Sequence, residues 1–314
     1  MYYFIVNTSG GSGKTSAKWR EVKELIEERR IEYKAYRTTG KGSATRIAAK
    51  LSSLRENPVN IIVVGGDGTI NEVINGIKDF EKVRLGLIPS GSGNDFARGV
   101  GIPKNAAAAL DRILAAGDGR RMDIGQLEIP GARGETSKSR FFAISAGIGL
   151  DAIVCKKAVT SRIKKVLNFL GLGRLTYIVI TVITLFSMNT YRMRLILKQD
   201  GKSKVFVFPR MIFTAAMNLR AEGGGVRMAP MASARDGKLS LCTAFGIPRW
   251  KAFFLLPFLS MGRHEGKKGF FLYNAQQMEI VTDKPMVVHA DGEYMGDHKN
   301  VRFRSLCGKL HVLA

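Results

Sequence analysis

Residues that could carry out phosphate chemistry lie close together early in the chain. The segment Gly65–Gly68 has three glycines around Asp67 and directly follows the apolar run Ile61–Val64. Glycines this dense remove the Cβ atoms where a backbone turns sharply or a ligand approaches closely. We expect Thr69 to cap a helix there, whose N–H groups and dipole would favour an anion. A carboxylate beside a phosphate indicates Mg²⁺ or proton transfer. The alternative is a tight turn in which Asp67 is only a cap.

Two further loops have a similar composition. The loop from Asn7 to Thr15 follows a strand predicted at residues 2–6. This loop either contacts a nucleotide or is simply exposed to solvent, and the sequence leaves both alternatives open. It is not a Walker A motif, because that motif requires glycine at the position of Thr8. The third loop, Ser90–Arg98, lacks the last glycine of a dinucleotide-binding fingerprint, so that interpretation is weak.

Strands that alternate with helices must position these loops. Residues 1–123 predict a doubly wound parallel sheet with helices, in which ligands bind at the carboxyl ends of the strands. From residue 124 to 303 alternating patterns predict an antiparallel β sandwich, interrupted by helices at about 150–188 and 250–261. The C-terminal residues, about 304–314, have two possible placements: they belong to the second domain or pack back onto the first domain.

The charge balance points to an anionic partner. The chain has 49 Lys and Arg residues against 26 Asp and Glu residues, a net charge of +23. Without an RNA-recognition motif, zinc finger or basic zipper, nucleic acid is the weaker option, and an anionic membrane surface or phosphorylated ligand is expected. The widely spaced Cys155, Cys242 and Cys307 indicate a reducing compartment. The longest apolar run, Leu175–Met188, is shorter than a spanning helix. We expect a cytoplasmic protein, peripheral to the inner face of the membrane, that can form a homodimer.

An ordered series of motifs extends over nearly the whole chain. The motifs are Gly65–Thr69, Asn71, Glu72, Asn75, Gly76, Pro89–Ala97, Asp123–Gly125, Gly147–Asp151, Asn218, Gly223–Gly225, Pro230–Ala232, Asp236–Leu239 and Asp291–Glu293. This series resembles the diacylglycerol kinase catalytic-domain family, and in particular its soluble bacterial lipid kinases. NAD kinases and phosphofructokinases share the Gly-Gly-Asp-Gly element, so the resemblance implies a similar first domain. Sphingosine kinases usually have a small residue at the position of Asp95, which favours the diacylglycerol kinase interpretation.

The resemblance implies an ATP site and a Mg²⁺ site in the first domain. The expected nucleotide-binding residues are Asn7, Thr8, Ser9, Gly10, Gly11, Thr38, Gly65, Gly66, Asp67, Gly68, Thr69, Asn71 and Ser92. Asp67, Asp95 and Asp123 are the acidic set expected to organise catalytic Mg²⁺ and its waters. The family often has Asn-Pro where this chain has Asn7-Thr8. The loop is therefore expected to be less rigid here than in those relatives.

The resemblance also implies roles for residues of the second domain. Asp291 and Glu293 would flank the acceptor hydroxyl, one of them as general base; the alternative is an ordinary Asp-Gly hairpin turn. Some bacterial members hold a structural Mg²⁺, whose ligands would map to Ser233, Asp236 and the backbone carbonyl of Lys238; the alternative here is again a turn. Two histidines are also considered. His289 is expected to pack beside the site, and His264 is expected to be exposed.

These observations predict an ATP- and Mg²⁺-dependent lipid kinase. Diacylglycerol, giving phosphatidic acid, is the leading substrate. The alternatives are another acceptor, such as a sphingoid base, phosphatidylglycerol or NAD, and a non-catalytic nucleotide-binding regulator associated with membranes.

Overall fold

The computed structural model describes residues 1–8, 14–131, 136–160 and 173–314. The chain forms two compact units. Unit 1 combines Met1–Ile124 with Cys307–Ala314, and unit 2 is Gly125–Leu306. The predictions for Ser9, Gly10 and Gly11 lie outside the described residues.

Unit 1 is a parallel sheet with helices between its strands. Its strands run in the order β2-β1-β3-β4, and the end of a later strand, at His311 and Val312, pairs in parallel with β4. The elements are β1 (Tyr2–Val6), α1 (Lys14–Glu28), β2 (Tyr33–Arg37), α2 (Ser43–Ser52), β3 (Val59–Gly65), α3 (Asp67–Ile74), β4 (Val83–Pro89), α4 (Asp95–Val100) and α5 (Ala106–Ala115).

The apolar strands of unit 1 are buried as their composition predicts. Every residue of β3 except Asn60 is buried, and α1, α2 and α3 all contact this strand. A strand covered in this way needs no polar face, so its side chains can be apolar throughout. The predicted parallel α/β architecture is confirmed.

Unit 2 is rich in antiparallel strands. The hydrogen-bonded order β11-β10-β9-β7-β12-β13 contains its central strands, β8 pairs with both β9 and β12, and β5 pairs with β6. Two strands cross the division between the units, since β5 begins and β13 ends in unit 1. The elements are β5 (Arg120–Ile129), β6 (Lys138–Phe142), β7 (Ser145–Gly149), α6 (Leu150–Thr160), α7 (Gly173–Ser187), β8 (Tyr191–Gln199), β9 (Lys202–Met217), β10 (Leu239–Phe245), α8 (Arg249–Ser260), β11 (Phe270–Ala275), β12 (Gln277–Ala290) and β13 (Glu293–Val312).

The helices of unit 2 are only partly buried. Ile180 and Leu185 of α7 join the core, whereas Ile183 and Phe186 on the same helix are exposed. None of the described helices is both long enough and apolar enough to cross a bilayer.

Candidate functional site

The ends of three adjacent strands in unit 1 carry a hydrogen-bonded polar network. Asn7 follows β1, Thr38 follows β2, and Thr69 lies just beyond β3. The Asn7 side-chain amide donates to Thr69 Oγ1 over 2.8 Å, and Thr38 Oγ1 donates to Asn7 Oδ1 over 3.3 Å. Three of the residues predicted to bind nucleotide are thus brought together at the carboxyl edge of the sheet.

The prediction that Thr69 caps a helix is wrong. Helix α3 begins at Asp67, and Gly66 is its N-cap with no side-chain hydrogen bond. The Thr69 hydroxyl accepts from Asn7 instead. The N-cap therefore lies three residues earlier than predicted, which leaves the first N–H groups of α3 beside the glycines.

Two of the three glycines in this turn are required by packing. A Cβ on Gly65 would lie 2.8 Å from Thr69 Oγ1, and one on Gly66 would lie 3.0 Å from the Cα of Gly91. The Gly66 and Gly91 backbones therefore touch. Gly68 differs, because no described atom lies within 4 Å of a Cβ built on it. A Cβ at Gly68 would therefore meet no described atom outside its own segment of α3.

The acidic residues of unit 1 have separate hydrogen-bond partners. Asp67 Oδ1 accepts from the amide of Phe96 over 3.0 Å, next to Asp95 at the start of α4. The buried Asp95 forms an ion pair with Arg98. Asp123 is also buried and accepts from the Gly308 amide over 2.7 Å.

These three carboxylates do not form one compact group. In the described parts of the chain, the group of three potential ligand atoms within 4.8 Å of one another lies in unit 2 instead. Direct coordination of one ion by Asp67, Asp95 and Asp123 together is therefore not built into this arrangement.

The other predicted nucleotide-binding residues differ in exposure. Asn71 is fully buried in α3, Ser92 is exposed, and Thr8 is half-buried at the end of the described segment. The neighbour of Asn71, Glu72, uses its carboxylate to accept from the amides of Gly42 and Ala44 at the start of α2, over 2.9 and 3.1 Å. Glu72 therefore fixes α2 against α3.

Sequence reasoning missed two contacts beside the glycine loops. The hydroxyls of Thr15 and Ser90 are 2.9 Å apart and buried. Lys18 Nζ donates to the carbonyls of Pro89 and Lys104 over 2.6 and 2.7 Å, and partial burial lowers the pKa of Lys18. Lys18 lies one turn into the helix that follows the first glycine-rich loop. This position in the sequence was the feature that would have indicated a residue near the glycine loops.

In unit 2, the carboxylate of Asp291 holds a backbone turn. Its two oxygens accept from the amides of Ala143, Ile144 and Ser145 over 2.8, 2.9 and 3.0 Å, and its own amide donates to the Ser145 carbonyl. Asp291 has a φ of 46°, a left-handed conformation that costs energy outside glycine. The arrangement is more elaborate than an ordinary hairpin turn, and it places the partly exposed Glu293 at the start of β13.

A buried histidine supports the same turn. The Gly292 amide donates to His289 Nδ1 over 3.2 Å, so the ring proton is on Nε2, which lies 3.1 Å from Asp151 Oδ2. Glu222 belongs to the same group, and it accepts from the hydroxyl of Ser145. Although burial lowers the pKa of His289, the hydrogen bond to Asp151 and the carboxylates of Asp151, Glu222 and Asp291 raise it overall.

This unit 2 group could suggest a metal site, but the histidine argues against it. An imidazole nitrogen binds a metal through its lone pair. The His289 Nδ1 lone pair accepts from Gly292 and Nε2 carries the proton, so neither nitrogen is available. Gly147 is required here, because its Cβ would lie 2.0 Å from Asp151 Oδ2. His289 packs beside the Asp291 turn, as the sequence suggested.

At the predicted structural Mg²⁺ ligands the structure shows a local turn. Asp236 is exposed, and its Oδ1 accepts from the Lys238 amide over 3.0 Å. This is the hydrogen bond of an Asx turn, the alternative considered for this stretch. Ser233 is half-buried nearby in sequence. A structural metal at these residues stays a prediction.

The prediction that His264 is exposed is wrong. The residue is completely buried, with Nε2 3.0 Å from the Met228 carbonyl and 3.5 Å from Cys242 Sγ. Burial lowers the pKa of His264 and raises that of the Cys242 thiol. The burial of His264 could not be predicted from its polar sequence neighbours, because the residues that bury it come from distant segments of the chain.

Comparison with known proteins identifies the family. A family model described as the diacylglycerol kinase catalytic domain matches residues 1–127. A second, described as the YegS C-terminal NAD kinase beta sandwich-like domain, matches residues 144–314. The chain belongs to the diacylglycerol kinase catalytic-domain family. It is therefore a kinase, and the prediction of a C-terminal β sandwich is confirmed.

Relatives match over nearly the whole chain. The diacylglycerol kinase of Bacillus subtilis is 29% identical, with 93% of this chain and 89% of the relative covered. YtlR of the same organism, provisionally named a lipid kinase, is 28% identical with 94% of each chain covered. A solved structure of a Bacillus anthracis diacylglycerol kinase has a TM-score of 0.70 at 19% identity, covering 99% of this chain and 96% of the other, and shows the same fold.

Proposed function

We propose that the protein transfers the γ-phosphate of ATP to a lipid hydroxyl with Mg²⁺, and that diacylglycerol is the acceptor, giving phosphatidic acid. The observation that carries the proposal is the glycine turn of unit 1. Helix α3 starts inside this turn, and its Gly68 faces space that no described atom fills. Phosphate groups bind at helix N-termini of this kind, because the N–H groups and the dipole both favour an anion.

The strand-end network supports a nucleotide at this edge. Asn7, Thr38 and Thr69 hold one another in fixed orientations where β1, β2 and β3 end. The resemblance to the family implies nucleotide contacts at these same three residues. Phosphoryl transfer depends on positioned phosphates more than on covalent chemistry by the protein, so a prearranged edge suits the reaction.

The chemistry of the acidic residues fits Mg²⁺ held largely through its waters. Carboxylate oxygens are the donors Mg²⁺ takes, and it commonly keeps several waters. Asp67 and Asp123 each already accept a backbone amide with one oxygen, and Asp95 pairs with Arg98. When bound, Mg²⁺ would neutralise charge on the transferred phosphate.

The geometry supports Glu293 as the general base and Asp291 as the residue that positions it. Both oxygens of Asp291 accept backbone N–H groups, so this carboxylate is committed to the turn. Glu293 follows after one glycine and is partly exposed, as a group that meets an acceptor hydroxyl must be. A positioned carboxylate can take the hydroxyl proton as the new bond forms.

The choice of diacylglycerol rests on relatives such as the Bacillus subtilis protein that is named a diacylglycerol kinase. The test is a phosphorylation assay with labelled ATP and Mg²⁺. Diacylglycerol, a sphingoid base, phosphatidylglycerol and NAD are offered separately in detergent micelles or buffer, and each product is identified by mass. Phosphatidic acid as the main product is expected. Preferential phosphorylation of another acceptor would refute the substrate, and no turnover with any acceptor would favour the non-catalytic regulator.

Variants test the roles in the same assay. Glu293→Gln is expected to lower kcat by about a hundredfold to ten-thousandfold, the usual contribution of a general base, with ATP binding retained. Asp291→Ala is expected to abolish product while ATP still binds. Asp283→Asn, at an exposed position of β12, is the matched control and should behave as wild type. Glu293→Gln with wild-type kcat would exclude Glu293 as the base.

A further inference from the structure

Helices α7 and α8 of unit 2 share an exposed apolar surface. We define the α7–α8 face by Ile183, Phe186, Trp250, Phe253, Phe254 and Phe258, all of which are exposed. Phe254 is 64% exposed and Trp250 58%, although both side chains are large and apolar. Single exposed apolar residues are ordinary, but a contiguous group of large ones marks an interaction site.

The two helices are held together as one surface. Arg249 donates to the carbonyls of Phe186 and Met188 over 2.7 and 2.6 Å, so it satisfies the C-terminal end of α7 from the first residue of α8. The Phe186 and Phe253 rings lie 6.4 Å apart between the helices. On α8, Ala252 and Leu259 are the buried residues that attach the helix to its unit. The aromatic side chains point away from that attachment.

The charge around this face selects an anionic partner. Neither α7 nor α8 contains an acidic residue. From residue 249 to 268 there are five basic residues and one acidic residue. Lys251 lies over the Trp250 ring at 5.3 Å and Lys267 over the Phe258 ring at 4.3 Å. Long basic side chains packed on aromatic rings place an apolar body beneath a positive charge.

We propose that the α7–α8 face docks the protein on the surface of an anionic lipid bilayer, with its aromatic side chains inserted among the lipids. Helices that lie in a membrane interface combine aromatic and aliphatic residues on one face with Lys and Arg beside them. Tryptophan is also enriched at the depth of the headgroups. The choice of a bilayer over a protein partner rests on the proposed function, since a lipid acceptor resides in the membrane.

Vesicle sedimentation of the full chain tests the docking. The probes are phosphatidylcholine vesicles with and without phosphatidylserine. Wild-type protein is expected to bind the mixed vesicles more tightly and to lose much of this preference at high salt, because screening weakens attraction to the surface. Phe254→Ser and Trp250→Ser are each expected to lower partitioning by about tenfold or more, from the transfer free energy of a large apolar side chain.

Matched variants separate position from composition. Val205→Ser removes a 54% exposed apolar side chain from β9 and should leave vesicle binding unchanged. Lys251→Glu and Lys202→Glu change the net charge equally, and both side chains are exposed. Only Lys251→Glu, on the proposed face, is expected to weaken binding strongly. Equal effects of the two would show that overall charge, and not this face, governs binding.

Two results would overturn the docking surface. One is that the Phe254→Ser and Trp250→Ser variants both bind mixed vesicles as tightly as the wild-type protein does. The other is a lipid-free dimer, detected by light scattering, that Phe254→Ser dissociates without changing vesicle binding; the face would then contact a second copy of the chain.

A kinase assay on dissolved short-chain diacylglycerol keeps this test apart from the proposed function. If docking is correct, Phe254→Ser phosphorylates this acceptor like wild type but loses activity on vesicle-bound diacylglycerol. Absence of wild-type turnover on every acceptor would refute the kinase substrate, while face-dependent vesicle binding would still stand.

Discussion

Replacing Gly68 with alanine tests whether phosphate binds at the start of α3. The new methyl group has no described neighbour within 4 Å, and Gly68 does not have a left-handed φ. Alanine is favoured over glycine in helices by up to about 1 kcal/mol, so the variant should unfold at the same or a slightly higher temperature. A methyl group in the space of a bound phosphate should cost about 1–3 kcal/mol of binding, as overpacking does.

The assay is the KM for ATP together with thermal unfolding with and without ATP. A cost of about 1–3 kcal/mol corresponds to about a 5- to 150-fold rise in KM. Gly117→Ala should give the opposite pattern, because its site is also open but its φ is 57°. It should lose about 1–2 kcal/mol of stability with an unchanged KM.

Gly65→Ala supplies the third comparison. Its Cβ would lie 2.8 Å from Thr69 Oγ1, so we expect lower stability together with weaker ATP binding. The reasoning would be refuted by a Gly68→Ala protein with the wild-type KM for ATP and wild-type stabilisation by ATP. In that case the open face of α3 is simply exposed to solvent.

Two further predictions concern carboxylates that accept hydrogen bonds inside the fold. Glu72→Ala should lower the free energy of unfolding by about 1–3 kcal/mol, because it leaves the α2 amides of Gly42 and Ala44 unpaired; urea denaturation measures this, and unchanged stability would contradict the capping role. Asp151→Ala should also lower the free energy of unfolding by about 1–3 kcal/mol, because it leaves the buried Nε2–H of His289 without its acceptor. Thermal unfolding at neutral pH measures this, and a wild-type unfolding temperature would contradict the pairing.

Local patterns were sufficient for the elements and the family motifs. The apolar run before Gly65 predicts a covered strand, and the glycines that follow predict the break between this strand and the next helix. These signals lie within a few neighbouring residues, where period and composition determine the backbone. The N-cap was placed three residues too late, at Thr69 instead of Gly66, because Thr and Gly both occur as N-cap residues and the local sequence does not choose between them.

Contacts between distant segments could not be derived from the sequence. Glu72 appears in the sequence only as part of a family motif, whereas in the structure its carboxylate caps α2, about thirty positions earlier. His264 reads as exposed and is buried against Met228 and Cys242. Which side chain meets which backbone amide depends on how strands far apart in the chain are aligned.

The sequence by itself determined the two architectures, the glycine-rich break between β3 and α3, and the kinase family, since each depends on local pattern or motif order. Only the tertiary structure decided how the Asp291-Gly292-Glu293 turn is held. Pairing of β12 with β7 brings the amides of residues 143–145 to the Asp291 carboxylate, about 147 positions away. A carboxylate that accepts three amides positions the turn, and this is why we propose Glu293 rather than Asp291 as the general base.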